Sequence, residues 1–100
     1  MNNHEINESN IAFDFPFESP LHRLIMVYIH ISGSLDGGRE KLIFDKKFVE
    51  VCCCSSSDFI NSINYLVENG FIRKNNYGLQ FGSSSSGYVI TVPRELRNGS

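Results

Sequence analysis

Apolar residues recur at helical spacing in three parts of the chain. The first is L-H-R-L-I-M-V-Y-I-H-I-S, in which apolar side chains stand three and four positions apart, as on one face of a helix. Ser19 as N-cap and Pro20 in the first turn are a typical helix start. Met26, Val27 and Ile31 make this helix apolar almost all round, so we expect it to be heavily buried or to form an interface.

Two further helical patterns follow each other closely. In D-K-K-F-V-E-V-C-C, Asp45 is a candidate cap, and the expected inward residues are Phe48, Val49 and Cys52. After a turn at residues 53–55, S-S-D-F-I-N-S-I-N-Y-L-V-E-N predicts a second helix, ended by Gly70. The apolar residues that share a face of this helix are Phe59, Ile63, Leu66 and Val67.

Strand-like segments complete the pattern. K-L-I-F follows the loop S-G-S-L-D-G-G-R-E, and F-I-R-K, G-L-Q-F and Y-V-I-T-V follow the last helix. N-N-Y-G and G-S-S-S-S-G are expected to be turns between them, and Pro93 stops the last strand. The predicted order is helix, strand, helix, turn, helix and hairpin, which is an α+β fold of three helices with a small antiparallel sheet.

The segment before the first helix has a different character. Residues 1–12 are polar and Asn-rich and are expected to fray. In F-D-F-P-F-E-S-P, the prolines Pro16 and Pro20 predict an extended arm. Its three phenylalanines should dock on the domain's own core or on a partner subunit. We therefore divide the chain into a flexible acidic and aromatic arm at 1–19, a domain at 20–93 and a polar tail at 94–100.

Composition excludes several classes of protein. One hundred residues with 41% apolar side chains fit one globular core. No apolar run approaches the ~20 residues that cross a bilayer, and no secretory signal opens the chain. We expect a soluble, cytoplasmic protein without a membrane partner.

Neither the cysteines nor the histidines form a recognisable site. Cys52, Cys53 and Cys54 are consecutive, so their side chains diverge and make a poor metal cage. We interpret them as small apolar residues beside a turn, with a redox or metal role as the alternative. His22 and His30 are expected to be helix residues and not ligands. Because no catalytic or phosphate-loop motif is present, the sequence predicts no enzyme, no metal and no cofactor.

The net charge of the whole chain, −2, argues against strong binding to nucleic acid, but the charged residues are unevenly distributed along the sequence. Residues 1–20 hold four acidic and no basic side chains, whereas residues 21–100 hold nine basic and seven acidic ones. Any binding of phosphates must therefore depend on local patches and should be modest, salt-sensitive or assisted by dimerisation.

Residues 20–93 resemble the winged helix-turn-helix family, most specifically in F-D-K-K-F-V-E-V-C-C-C-S-S-S-D-F-I-N-S-I-N-Y-L-V-E-N-G-F-I. Three features match the family pattern: small residues at the turn, a Ser at the start of the helix that follows it, and the ending Gly70-Phe71-Ile72. In the family, the helix after the turn is the recognition helix. Cys53 replaces the usual turn glycine, and Ile60 stands where a polar outward residue is usual. The recognition helix also lacks Arg and Lys.

The resemblance implies contacts with double-stranded DNA. The serines at the start of the recognition helix would offer hydroxyl and N–H groups to phosphate, and its asparagines would read bases. The basic residues beside it would contact the DNA backbone. The candidate DNA-binding residues are Ser55, Ser56, Ser57, Asn61, Asn64, Arg73, Lys74, Lys46 and Lys47. In the alternative reading, the serines only cap the helix and the asparagines only solvate it. The G-S-S-S-S-G loop would be a wing tip without Arg or Lys.

Two functions from different classes remain open. The first is a sequence-reading DNA-binding domain, either a transcription regulator or a phage- or plasmid-type replication initiator. It would act as a homodimer through the N-terminal arm and the first helix. The second is a protein-interaction module, in which a winged helix has lost its affinity for DNA and binds a partner through its aromatic arm and apolar first helix.

Overall fold

The computed structural model of the protein describes residues 8–32, 40–80 and 83–93. In chain order the elements are α1 (Glu8–Asp14), α2 (Pro20–Ile31), β1 (Lys41–Phe44), α3 (Asp45–Cys52), α4 (Ser56–Glu68), β2 (Ile72–Gln80) and β3 (Ser83–Ile90). These residues form an α+β fold of four helices and one small three-stranded antiparallel sheet. The order from α2 to β3 is compatible with a winged-helix-like fold.

The sheet has the strand order β1-β3-β2, so the last strand in the chain is the central one. Because side chains alternate along a strand, each strand contributes to two faces. One face joins the helices in the core through Ile43, Ile72, Tyr88 and Ile90. On the other face Leu42, a neighbour of Ile43 in β1, stays 61% exposed. The helices therefore cover one side of the sheet, and we refer to the opposite side as the outer face.

Aromatic contacts link the helices to the sheet. The ring of Phe48 in α3 lies 5.0 Å from that of Phe59 in α4 and 5.2 Å from that of Tyr88 in β3. Tyr28 of α2 contacts the same Phe48 ring edge to face. Phe48 is thus the point where α2, α3, α4 and β3 meet.

Within the described ranges, none of the helices has the length and hydropathy needed to span a bilayer.

The helix starts agree with the sequence in two cases and differ in the third. Ser19 caps α2 by accepting a hydrogen bond from the backbone N–H of Leu21, as predicted. Ser55 likewise caps α4. The prediction that Asp45 caps α3 is wrong, because Asp45 is the first residue of the helix and Phe44 occupies the cap position. The physical reason is that pairing in β1 extends to Phe44, opposite Ser85, so the chain passes directly from strand to helix.

The N-terminal segment contains a helix where the sequence analysis expects a frayed and extended arm. The helix α1 forms because Ile11 and Ala12 are buried in the same core as the rest of the protein. Arg23 of α2 donates hydrogen bonds to the carbonyl oxygens of Ala12 and Phe15, which holds the end of α1 in place. The segment without helix between α1 and α2 is limited to residues 15–19. It contains a tight turn, in which the N–H of Phe17 donates to the carbonyl of Phe15.

The three phenylalanines of this segment have different environments. Phe15 and Phe17 pack against the core, and each ring lies 4.9 Å from the ring of Phe71. Phe13 stays 49% exposed, with its ring edge to face on His30. The expectation that the phenylalanines dock on the domain's own core is thus confirmed for Phe15 and Phe17.

The predicted turns N-N-Y-G and G-S-S-S-S-G are wrong, because both segments lie mostly within the β2–β3 hairpin. Ser86 in the central strand pairs on both sides, opposite Ile43 in β1 and Asn76 in β2. Ser83 and Ser84 pair with β2, and Ser85 pairs with β1. The register shifts between Asn76 and Leu79, which marks a bulge. Residues 83–87 of this run are therefore strand and not a wing tip. Residues 81 and 82 lie outside the described residues. Residues 33–39 of the predicted loop at 32–40 and the tail at 94–100 also lie outside them.

Candidate nucleic-acid interface

The turn between α3 and α4 depends on one left-handed residue. Cys53 has φ 53° and ψ 49°, a conformation that glycine adopts without steric cost. Its backbone N–H donates to the carbonyl of Glu50, and the N–H of Cys54 donates to the carbonyl of Val49 at 3.3 Å. Cys53 thus adopts a left-handed conformation that glycine adopts more readily. The turn sets the direction in which α4 leaves α3.

The serines at the start of α4 have separate roles. The Oγ of Ser55 accepts a hydrogen bond from the backbone N–H of Asp58 at 3.0 Å and lies 3.5 Å from the Oγ of Ser57. Ser55 is therefore used as a cap. Ser56 and Ser57 are exposed in the first turn, where backbone N–H groups have no partner within a helix. Ser56 and Ser57 are thus the exposed serines in the first turn of α4 that do not serve as its cap.

One face of α4 is buried and the opposite face is open. The buried residues are Phe59, Ser62, Ile63 and Leu66, whereas Val67, which was expected among them, is exposed. The open face, which we call the outward stripe, has residues three and four positions apart and consists of Ser57, Ile60, Asn61, Asn64 and Glu68. Asn61 and Asn64 lie one turn apart at its centre. Two amide side chains therefore project side by side, away from the core.

The helix α4 also has features that oppose binding of DNA. Ile60 is 53% exposed in the middle of the outward stripe. Asp58 and Glu68 are acidic and exposed, and α4 contains no Lys or Arg. The helix itself therefore adds negative charge, and attraction to phosphate must come from neighbouring elements.

The C-terminus of α4 is closed by a Schellman motif. Gly70 has φ 82°, its N–H donates to the carbonyl of Val67 at 3.1 Å, and the N–H of Phe71 donates to the carbonyl of Leu66 at 2.9 Å. The predicted end at Gly70 is confirmed. Since β2 begins at Ile72, the basic pair that follows lies close to the end of α4.

The two residues of that pair are exposed on opposite faces of β2. Arg73 lies opposite Val89 and belongs to the outer face of the sheet, whereas Lys74 lies opposite Tyr88 on the side covered by the helices. Lys74 therefore shares a side of the sheet with α4, and Arg73 does not. The two cations act from different directions.

The remaining basic candidates are in the first turn of α3. Lys46 and Lys47 are exposed, and the Nζ of Lys47 lies 3.6 Å from the Oε1 of Glu50. With 13 residues, α4 is about 20 Å long, so the serines at its start and the cations after its end are far apart. The nine predicted residues form an extended surface and not one cluster, with only Ser57, Asn61 and Asn64 together on one stripe.

Sequence reasoning missed Glu40, which is on the outer face of the sheet. Its carboxylate accepts hydrogen bonds from Asn75 at 2.7 Å and from the hydroxyl of Tyr77 at 2.9 and 3.0 Å. These hydrogen bonds, and the nearby charge of Arg73, lower the pKa of Glu40, while the bond to Glu40 raises the pKa of Tyr77. The partners are 35 and 37 residues away in the chain, so no local pattern signals the contact.

The cysteines lie at the turn, with different exposure. Cys52 is buried and Cys53 is exposed. Burial, followed by the neighbouring thiols of Cys54 and Cys53, raises the pKa of Cys52 to about 11. Among the residues that the structure describes, no group of three or more His, Cys, Asp or Glu is placed to hold a metal ion.

Comparison of the chain with protein-family models, with curated proteins and with solved structures found no match. The function proposed below therefore rests on the geometry of the protein and on the sequence pattern.

Proposed function

We propose that this protein is a winged helix domain that binds double-stranded DNA by placing α4 in the major groove. The observation that carries the proposal is the outward stripe of α4, with Asn61 and Asn64 one turn apart, on a helix that follows α3 after a tight turn. A helix of this kind fits the major groove. The Asn side chain can pair with adenine through two hydrogen bonds, which makes these residues the proposed readers of sequence.

Contacts to phosphate would position the helix. Ser56 and Ser57 offer hydroxyl and N–H groups at the N-terminus of α4, where the helix dipole favours an anion. The exposed cations of α3 and β2 would contact the DNA backbone; they are Lys46, Lys47, Arg73 and Lys74. Lys74 shares a side of the sheet with α4, whereas Arg73 would reach the backbone from the outer face. Because four cations are few and the net charge is −2, we expect micromolar affinity with a marked dependence on salt.

The proposal includes a homodimer that acts as a transcription regulator or a replication initiator. Support for self-association comes from the α1–α2 surface. Leu24 and Ile31 are 49% and 63% exposed and lie, with the partly buried Val27, along one side of α2. Phe13 of α1 is also exposed. A two-fold dimer through this surface would present two copies of α4 to two half-sites.

The proposal is tested by fluorescence anisotropy with a labelled random-sequence duplex at about 50 mM and about 200 mM salt. We expect micromolar binding at low salt that weakens steeply at high salt, with a logarithmic slope of about −3 to −4 for four phosphate contacts. The change of both Arg73 and Lys74 to Ala should weaken binding to all sequences. No binding by the wild-type protein at low salt would overturn the proposal.

Sequence reading needs a separate assay. Selection from a randomised duplex pool should return different preferred sequences for the wild-type protein and for Asn61→Ala, because a reader of bases has been removed. Asn10→Ala, a matched substitution on α1, should leave the preference unchanged. Identical preferences in all three proteins would remove Asn61 from the proposed site.

A second candidate function, a protein-interaction module, is favoured by one specific observation: Ile60 is exposed in the middle of the outward stripe, on a helix without cations. The variant Ile60→Lys separates the two functions. Added positive charge in the groove should strengthen binding to DNA, whereas a charge at the centre of an apolar contact with a protein would abolish that contact.

A further inference from the structure

On the outer face of the sheet, β3 contributes Ser85, Gly87 and Val89. Gly87 has no side chain, and the space that a Cβ atom would occupy there, which we call the trough, is taken by another residue. Gly87 lies between Leu42 of β1 and Asn75 of β2. The neighbouring strands place Leu42, Arg73 and Asn75 on this side of the sheet, and all three are exposed.

The side chain of Glu40 lies in this trough. A Cβ atom added to Gly87 would collide with the Glu40 carboxylate, which shows how closely the side chain crosses the central strand. On the far side both carboxylate oxygens are engaged by β2, one by Asn75 and both by Tyr77. A residue at the start of β1 is thus tied to β2 across β3. We call this arrangement the Glu40 clasp.

The clasp also fixes a negative charge beside Arg73. Arg73 precedes Asn75 by two positions and therefore shares the outer face with it. Its positive charge stabilises the carboxylate form of Glu40. Because the hydrogen bonds from Asn75 and Tyr77 hold the carboxylate in the trough, it stays beside Arg73 when a phosphate approaches. A phosphate at Arg73 would meet both an attractive guanidinium and a repulsive carboxylate.

We propose that Glu40 is a positioning residue that ties the β2–β3 hairpin to β1 and a charge that limits how strongly Arg73 binds phosphate. The second half of this inference rests on the proposed binding of DNA. Glu40→Gln keeps the shape of the side chain and an oxygen acceptor for Asn75 and Tyr77, but it removes the charge. Glu40→Ala removes the clasp itself. The two variants therefore separate charge from positioning.

The charge is tested by duplex anisotropy with Glu40→Gln, and with Glu18→Gln as a control that loses the same charge on the segment before α2. At about 50 mM salt we expect Glu40→Gln to bind DNA about two- to fivefold more tightly than Glu18→Gln, the range for exposed charge pairs. The gain should shrink at about 200 mM salt. It should also disappear in the Arg73→Ala background, because the affected cation is then absent. Equal affinities of Glu40→Gln and Glu18→Gln would overturn the charge role.

The positioning is tested without DNA. Hydrogen exchange of the hairpin amides should accelerate in Glu40→Ala and stay close to wild type in Glu40→Gln. NMR titration of the Tyr77 ring should show its pKa falling towards the ordinary value in Glu40→Ala, because the hydrogen bond that raises it is lost. Unchanged exchange and an unchanged Tyr77 titration would overturn the clasp. If the wild-type protein does not bind DNA, the proposed function and the charge role fail together, while these two measurements still decide the clasp.

Discussion

Replacement of Cys53 by glycine should stabilise the protein. Cys53 has a left-handed backbone, which costs a residue with a Cβ roughly 1–2 kcal/mol. Glycine removes that cost. It also makes the unfolded chain more flexible, which lowers the free energy of unfolding by about 0.5–1 kcal/mol. The side chain is exposed, and its Sγ lies 3.8 Å from the carbonyl oxygen of Glu50, so little packing is lost. We expect Cys53→Gly to raise the free energy of unfolding by about 0.5–1 kcal/mol.

The measurement is urea denaturation followed by circular dichroism, with a reductant that keeps the thiols reduced. For a chain of this size the expected gain corresponds to an increase in Tm of about 2–8 °C. Cys53→Ser is the matched control, since it removes the thiol and keeps the strain, and it should change stability by less than about 0.5 kcal/mol. Cys53→Val should destabilise, because a β-branched side chain fits this conformation poorly.

If Cys53→Gly is no more stable than Cys53→Ser, the left-handed backbone of Cys53 does not cost the folded protein free energy, and the expected stabilisation is refuted. The same variant also checks that the turn sets the direction of α4. Since glycine keeps the left-handed conformation, the outward stripe should not move, and any binding of DNA should match that of the wild-type protein.

Three further predictions concern buried groups. Burial lowers the pKa of His22, so the unfolded chain binds a proton at this residue more readily than the folded protein does. The free energy of unfolding should therefore fall as the pH drops below about 6.5. Urea denaturation at several pH values should show a smaller fall for His22→Gln. Cys52 has a pKa of about 11 and little exposure, so it should react with iodoacetamide at about pH 8 more slowly than Cys53. Mass spectrometry of the labelled chain measures the two rates, and faster labelling of Cys52 would contradict its burial. Burial, followed by the charge of Asp45, raises the pKa of Tyr88, so its hydroxyl should stay protonated as the pH rises past 10.0, the ordinary tyrosine value. Titration of the Tyr88 ring in NMR spectra at or below that value would contradict its burial.

Elements with local signals could be predicted from the sequence. Ser19 and Ser55 accept backbone N–H groups two or three residues ahead, and Gly70 takes the positive φ that ends α4, so each boundary depends on a few adjacent residues. The exposure of Asn61 and Asn64 also follows from helical spacing. These features need no knowledge of distant parts of the chain.

Features that depend on tertiary contacts could not be predicted in this way. The helix α1 has a weak local signal, and it forms where Ile11 and Ala12 meet the core. The run N-N-Y-G contains typical turn residues, but pairing with the central strand outweighs that preference. Glu40 meets its partners only after the sheet has formed. By contrast, Arg73 and Lys74 are adjacent in a strand, so their side chains face opposite sides of the sheet. This separation could have been predicted from the strand-like segment F-I-R-K.

The two hydrogen bonds from Arg23 have a consequence for fragments of the chain. A fragment that starts at residue 20 would lose Ile11 and Ala12 from the core and leave this guanidinium without the two carbonyl oxygens that it contacts. Such a fragment should gain solubility and stability on addition of a synthetic peptide that spans residues 8–19. The segment would then behave as a detachable ligand of its own domain, whose affinity calorimetry can measure, and Arg23→Ala would weaken that complementation.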